Sequence, residues 1–268
     1  MRISALQYDP VYLDVSRNLD SVEEIIESLQ TDLLVLPEFF ATGYFFRSTE
    51  DVRSVAEPIP NGPTADRLTA WADRIGGTIV AGLPELDGPT VYNSAVVVNN
   101  SGVIGKYRKV HLFYEEKLHF RPGDLGLPVF DVVNRDLSEY RLGLMICFDW
   151  YYPEAARTLA LAGADVIAHP SNLVRKDCPR AMPIRALENH VFTVTANRTG
   201  REVRDDESLT FIGQSLICGP EGEVLGQLGP EESGLLHVEI NPATAANRQI
   251  TKHNDLFVDR RPDSYRLA

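Results

Sequence analysis

The chain has 268 residues, of which 44% are hydrophobic and 24% charged, the make-up of a globular domain with a sizeable core. A formal net charge of −12 argues against a nucleic-acid partner, because phosphate binding needs a basic face. Cys147, Cys178 and Cys218 form no Cys-x-x-Cys pair and no apolar run reaches membrane-spanning length, so a cytoplasmic protein with no membrane anchor, metal or cofactor is expected.

Ile3 to Tyr8 alternates apolar and polar residues and predicts a first strand. From Asn18 to Leu29 the residues Leu19, Val22, Ile25, Ile26 and Leu29 share one helical face. Leu33 to Leu36 predicts a buried strand ended by Pro37-Glu38. Phe39 to Pro63, rich in aromatics and prolines, predicts a long loop beside a site. Helical period returns from Thr64 to Ile75, Gly76-Gly77 stops it, and Thr78 to Leu83 is the next strand. Ser94 to Asn99 and Val103 to Tyr107 flank Asn100-Ser-Gly102 as a hairpin.

A charged loop leads to the apolar run Leu142 to Ile146, a strand that stops at Cys147. Pro153 opens a helix closed by Gly163. Asp165 to His169 is a strand, and Arg180 to Asn189 a helix with Ala181, Ile184 and Leu187 as its apolar side. Val191 to Ala196 is a strand again. Ser215 to Cys218 and Glu223 to Leu225 flank Pro220-Glu-Gly222 as a second hairpin, and Gly234 to Ile240 closes the set.

Strand–helix units followed by a hairpin thus occur twice. The order predicts an α/β fold in which residues 1–247 form one domain of two similar halves, two sheets face to face with helices outside. The polar tail, 248–268, carries Leu256, Phe257 and Tyr265 as isolated anchors and is expected to pack on a partner subunit.

Three residues need a common explanation. Glu38 follows an apolar strand, Lys109 lies just past the first hairpin, and Cys147 ends a strand in a turn before a helix, where α/β proteins present reactive groups. Alone, each has an ordinary reading: a surface carboxylate, a solvated lysine, a core thiol. Glu38 and Cys147 end or follow strands in equivalent places of the two halves, so facing sheets bring them toward one pocket.

The blocks Leu36-Pro-Glu38-Phe-Phe, Gly82-Leu-Pro-Glu85, Tyr92-Asn-Ser-Ala95, Tyr107-Arg-Lys109 and Met145-Ile-Cys147-Phe-Asp, in this order, resemble the nitrilase superfamily of carbon–nitrogen hydrolases. The match continues through His169-Pro-Ser-Asn172 and Arg185-Ala-Leu-Glu-Asn189, and covers nearly the whole chain. Phe113-Tyr-Glu-Glu-Lys and Arg121-Pro-Gly-Asp124 give it a particular likeness to compact archaeal thermoactive nitrilases. The resemblance implies a four-layer αββα sandwich, a homodimer or higher homo-oligomer, and a Glu-Lys-Cys centre at Glu38, Lys109 and Cys147. It also implies a second glutamate after the lysine, where Glu115 and Glu116 both stand and alignment of the loop favours Glu116.

These residue types suit acyl transfer. Glu38 would take the Cys147 proton, and Lys109 with the backbone N–H of Phe148 would hold the oxyanion. The pocket for a small-molecule substrate is expected from Tyr44, Phe45, Asp149, Trp150 and Asn172. Cys147-Phe-Asp149 follows the Cys-x-Asp pattern of amide-cleaving relatives, yet the compact archaeal nitrilases look the same, so nitrile and amide stand even. N-carbamoyl compounds, with Arg175 or Lys176 clamping a carboxylate, come third. A non-catalytic scaffold is the rival, and it would have lost one of the three residues.

Overall fold

Leu33, Leu34 and Val35 are all fully buried because their strand lies in the middle of a sheet covered on both faces. The computed structural model describes residues 1–265, so the last three positions of the expected tail lie outside the described residues. The first sheet holds β1 (Arg2–Gln7), β2 (Leu33–Val35), β3 (Thr78–Asp87), β4 (Thr90–Asn99) and β5 (Gly102–Arg108). The second holds β6 (Val129–Val133), β7 (Glu139–Leu144), β8 (Val166–Pro170) and β9 (Phe192–Ala196). After β9 a separate hairpin of β10 (Arg201–Arg204) and β11 (Glu207–Thr210) stands outside both sheets. Then β12 (Leu216–Cys218) and β13 (Val224–Gln227) complete the second sheet, and β14 (Gly234–Glu239) returns to pair with β1 in the first.

Alternation of side chains sorts the layers. Ile3, Ala5, Leu33, Val35 and Val80 face the second sheet, where they meet Leu142, Leu144, Val166 and Val194. Leu6, Leu34, Leu36, Ile79 and Ala81 face outward onto α1 (Val15–Ile25) and α3 (Pro63–Ile75). Pro63 stands in the first turn of α3, and Gly76, at φ 74°, adopts the left-handed conformation that ends it. On the far side α5 (Pro153–Leu161) and α6 (Cys178–Asn189) cover the second sheet. Helix, sheet, sheet, helix is the expected αββα order.

Four details differ from the sequence reading. The loop expected from Phe39 to Pro63 contains α2 (Thr49–Val55), capped by Ser48 and opened by Glu50 and Asp51. Strand β6 forms within the charged loop, and the β10–β11 hairpin turns at Asp205-Asp206. α6 buries Cys178, Met182, Ala186 and Asn189, while Ile184 and Leu187 are about half exposed. Small and pliable side chains on the sheet side bring the helix close to β9 and β12, and the branched residues are left outside.

The equivalence of the halves is also shifted. Both sheets run antiparallel, parallel, parallel, antiparallel, antiparallel when read as β14-β1-β2-β3-β4-β5 and β6-β7-β8-β9-β12-β13. The counterpart of β2 is therefore β8, not β7. Glu38 corresponds to the segment around Ser171-Asn172, and Cys147 to the end of β1. The two residues meet because neighbouring strands of facing sheets end together, not because they are symmetry mates.

The tail forms a two-stranded hairpin, β15 (Gln249–Thr251) with β16 (Asn254–Asp255). Phe257 packs on its own chain between the guanidiniums of Arg157 and Arg248, 5.2 and 4.5 Å from its ring centroid. Ile250, Val258 and Tyr265 stay exposed. No helix among the described residues is long and apolar enough to cross a membrane.

Candidate active site

Four segments converge where β2, β5 and β7 end. After β2 the chain turns at Pro37-Glu38, and the Glu38 side chain is fully buried. β3 passes this turn so closely that a Cβ on Gly82 would lie 2.5 Å from the Glu38 Cα, which explains the glycine in Gly82-Leu-Pro. After β5, Lys109 is held by its backbone, donating to the Asn93 carbonyl at 2.8 Å and accepting from the Gly123 N–H at 2.8 Å. α4 (Glu116–His119) then carries Glu116 back over it.

The Lys109 ammonium donates to Glu38 Oε1 and to Glu116 Oε1, each at 2.7 Å. Asn93 Nδ2, from the middle of β4, donates to Glu38 Oε1 at 2.7 Å and to Glu116 Oε2 at 3.4 Å. Tyr44 completes the cluster, its hydroxyl donating to Glu116 Oε1 at 2.6 Å. Of the two glutamates in the loop, the structure brings Glu116 onto Lys109; Glu115 pairs instead with Arg204 at 2.6 Å.

Cys147 sits at the first position of a tight 3-10 turn with φ 41°, a left-handed conformation that costs a cysteine about 1–2 kcal/mol. Two buried side chains hold it there. His169 Nε2 donates to the Cys147 carbonyl at 2.8 Å, which fixes the tautomer, and burial lowers this histidine to about 4, so it is neutral. Asp149 accepts from the Ile146 N–H at 2.9 Å, the Tyr107 hydroxyl at 2.8 Å, the His111 N–H at 3.2 Å and His111 Nδ1 at 2.7 Å. Expected in the pocket, Asp149 is instead fully buried and spends its carboxylate on bracing the turn.

Charge in this cluster is set by burial first. Burial pushes the Cys147 thiol well up, and Glu38 adds to the rise; Lys109 and a hydrogen bond from the Asn172 backbone oppose it. The resting sulfur is therefore a thiol. Burial works against the Lys109 ammonium, but the Glu116 and Glu38 carboxylates outweigh it and hold the proton more firmly than water does. Glu116 is pushed up to about 7 by burial, partly offset by Lys109.

The Glu116 proton couples folding to pH. Below the ordinary carboxyl value of 4.5 both folded and unfolded chains hold this proton; between there and about 7 only the folded chain does. Folding stability should thus fall as pH rises through that window. Glu116→Gln should flatten the decline in denaturation midpoint between those pH values; an unchanged slope would place the proton elsewhere.

A cleft of about 10 Å³ opens beside Cys147, walled by Phe113, Phe148, Trp150, Asn172 and Arg175. That is room for about one water. Trp150 and Asn172, expected in the pocket, both line this cleft. Tyr44 and Phe45 line a neighbouring cleft on the Glu116 side, with the Phe45 ring 4.1 Å beneath the Arg204 guanidinium. Arg175 reaches the Cys147 cleft but pairs with Asp177 at 2.6 Å.

Asn93, His169 and Glu202 were not assigned roles from the sequence. An asparagine just before the apolar run Ala95 to Val98 of β4 was the available signal for the first, since a polar side chain buried there must find partners. Glu202 is distant in sequence and carries no local mark.

A buried thiol beside carboxylates bridged by one lysine, in an αββα sandwich, is an arrangement suited to a hydrolase. The chain belongs to the carbon-nitrogen hydrolase family, whose model matches residues 2–249. It is 49% identical over 268 residues to a nitrilase of Pyrococcus abyssi, covering 99% of each chain. It is 31% identical to an N-carbamoylputrescine amidase of Solanum lycopersicum, covering 95% of this chain and 90% of that one. Among solved structures, an amidase from Nesterenkonia sp. AN1 superposes with a TM-score of 0.78 at 31% identity, over 98% of this chain and 97% of that one. A mutant of that amidase shows Michael addition of acrylamide at the active-site cysteine.

Proposed function

We propose that the enzyme hydrolyses small aliphatic primary amides to carboxylic acid and ammonia, with Cys147 as nucleophile. Glu38 takes the thiol proton and the thiolate adds to the carbonyl carbon. Lys109 and the Phe148 backbone N–H receive the oxyanion. Glu38 returns the proton to the departing amine, leaving a thioester, and then activates the water that releases the acid. Glu116 keeps Lys109 charged and in place.

One observation favours amides over nitriles. Glu38 Oε2, Asn93 Oδ1 and Asn172 Oδ1 are buried, and no group among the described residues donates to them. The asparagine oxygens are assigned by their partners: Nδ2 of Asn172 must face the Glu38 carbonyl, 2.8 Å away, and Nδ2 of Asn93 the Glu38 carboxylate. A centre so short of donors suits a substrate that brings N–H groups. A primary amide has two and a nitrile none, and one buried acceptor left unmet costs about 1–3 kcal/mol. The second reading, nitrile hydrolysis through a thioimidate, rests on the nitrilase at 49% identity. N-carbamoyl compounds rank third, since Arg175 is already paired with Asp177.

Ammonia release from matched aliphatic amide and nitrile pairs decides between them. The amide should have a kcat/KM at least about tenfold higher. Equal or faster nitrile turnover would overturn the amide reading. The exposed apolar side chains Tyr151, Leu161, Ile184 and Leu187, on and beside α5 and α6, support a homodimer in solution, and the reactive thiol suits a reducing, cytoplasmic setting.

A further inference from the structure

The β10–β11 hairpin belongs to neither sheet, yet its inward side chains reach the site. Strand alternation turns Val203 outward, 60% exposed, and Glu202 inward, 7% exposed. The Glu202 carboxylate accepts the backbone N–H groups of Tyr44, at 3.1 Å, and Phe45, at 2.6 Å. Arg198, fully buried, pairs with Glu202 and with Asp9, and its guanidinium lies 4.0 Å from the Phe211 ring centroid. Phe211 in turn meets the Tyr44 ring edge-on, 5.9 Å between centroids.

Gly43 shows how closely the two segments are fitted. It has φ 77°, and a Cβ there would lie 2.8 Å from Glu202 Oε1. A second grip comes from Arg204, which donates to the Phe46 carbonyl at 2.9 Å and pairs with Glu115 at 2.6 Å. The hairpin therefore holds both sides of one hydrogen bond, that of Tyr44 to Glu116.

We propose that Glu202 is a positioning residue of the active site, which sets the Tyr44–Glu116 hydrogen bond through the Tyr44 and Phe45 backbone. This rests on the reading of Glu116 as part of the catalytic cluster. The groups facing the Glu116 carboxyl are Lys109 after β5, Glu38 after β2, Tyr44 and Asn93, with the Cys147 thiol beside them. Of these, Tyr44 is the one the hairpin controls. Its hydroxyl favours the ionised carboxylate, so loss of the bond moves the acid limb of the pH profile upward.

A double-mutant cycle on amide hydrolysis separates positioning from bulk stability. Tyr44→Phe and Glu202→Gln should each lower kcat about tenfold, change KM less than about twofold, and move the acid limb of kcat/KM to higher pH. In the Tyr44→Phe background, Glu202→Gln should cost less than about twofold, because the bond it serves is already gone. Effects that multiply, or a lower kcat with an unmoved acid limb, would overturn the proposal. Arg204→Ala cuts the second grip without unpairing buried Arg198, and should reproduce the upward shift even if Glu202→Gln folds poorly. A wild-type profile for Arg204→Ala, with Glu202→Gln misfolded, also counts against the proposal. Cys147→Ala is the control: if it retains activity, the reading of the site fails whatever the cycle gives.

Discussion

Cys147→Ala should lower amide hydrolysis by at least about 10⁴-fold while the protein stays folded. Cys147 is only 4% exposed, and loss of its sulfur deletes one atom from a turn held by other groups. His169 still bonds the backbone carbonyl of position 147, and Asp149 still ties Ile146, Tyr107 and His111 together. Far-ultraviolet circular dichroism and the denaturation midpoint should therefore match the parent closely. Mass spectrometry after mixing with substrate should show an acyl adduct on the parent and none on the variant. Turnover that survives the substitution would mean that another group, or a directly activated water, carries the reaction.

Lys109→Ala should damage both chemistry and fold. As an oxyanion donor the ammonium is worth about 3–4 kcal/mol in the transition state, a fall of about 10²–10³ in kcat. As the cation between Glu38 and Glu116, both buried, it also offsets their repulsion, and removing one partner of a buried ionic cluster costs about 3–5 kcal/mol. The pairing raises the folded affinity of Lys109 for its proton, so on the alkaline side this stabilisation is lost only as pH rises past the unfolded value of 10.5 into strong alkali; on the acid side it weakens as Glu116 takes up its proton below about 7. At neutral pH the variant should thus unfold at markedly lower denaturant than the parent. An undiminished kcat in the folded fraction would remove Lys109 from the oxyanion site, whatever happened to stability.

The sandwich was legible in the sequence because its central strands are short apolar runs with marked ends. Leu33 to Leu36 and Leu142 to Ile146 announce burial on both faces, and Gly76 and Gly163 mark where helices stop. Less legible were elements whose stability comes from partners remote in sequence. α2 has only Val52 fully buried, so its seven residues carry no apolar stripe. On α6 the larger apolar residues pointed to the wrong face, since Ala186 and Met182, not Ile184 and Leu187, meet the sheet. Periodicity reports size and polarity, whereas helix-to-sheet distance selects for smallness.

The site divides in the same way. Glu38, Lys109 and Cys147 stand out in sequence as an ordered set of blocks; the spacing of any one of them says little. Geometry then separates Glu116 from Glu115 through the bonds to Lys109 and Tyr44, a distinction that adjacent identical residues cannot carry in sequence. Asp149 was misplaced for a related reason. A carboxylate two positions from a nucleophile reads as substrate-facing, but a 3-10 turn points it back toward Ile146.

The return of β14 to the first sheet has a consequence for how the chain can mature. β1 pairs along its length with β14, from Arg2 opposite Glu239 to Gln7 opposite Gly234. Until that last stretch has emerged, β1 is an open edge, with its inner neighbour β2 leading straight into Glu38. The first half therefore cannot be finished ahead of the second. Contacts that span more than two hundred residues make the fold slow to close, and an interrupted chain ends with a sticky border in place of a half-built enzyme.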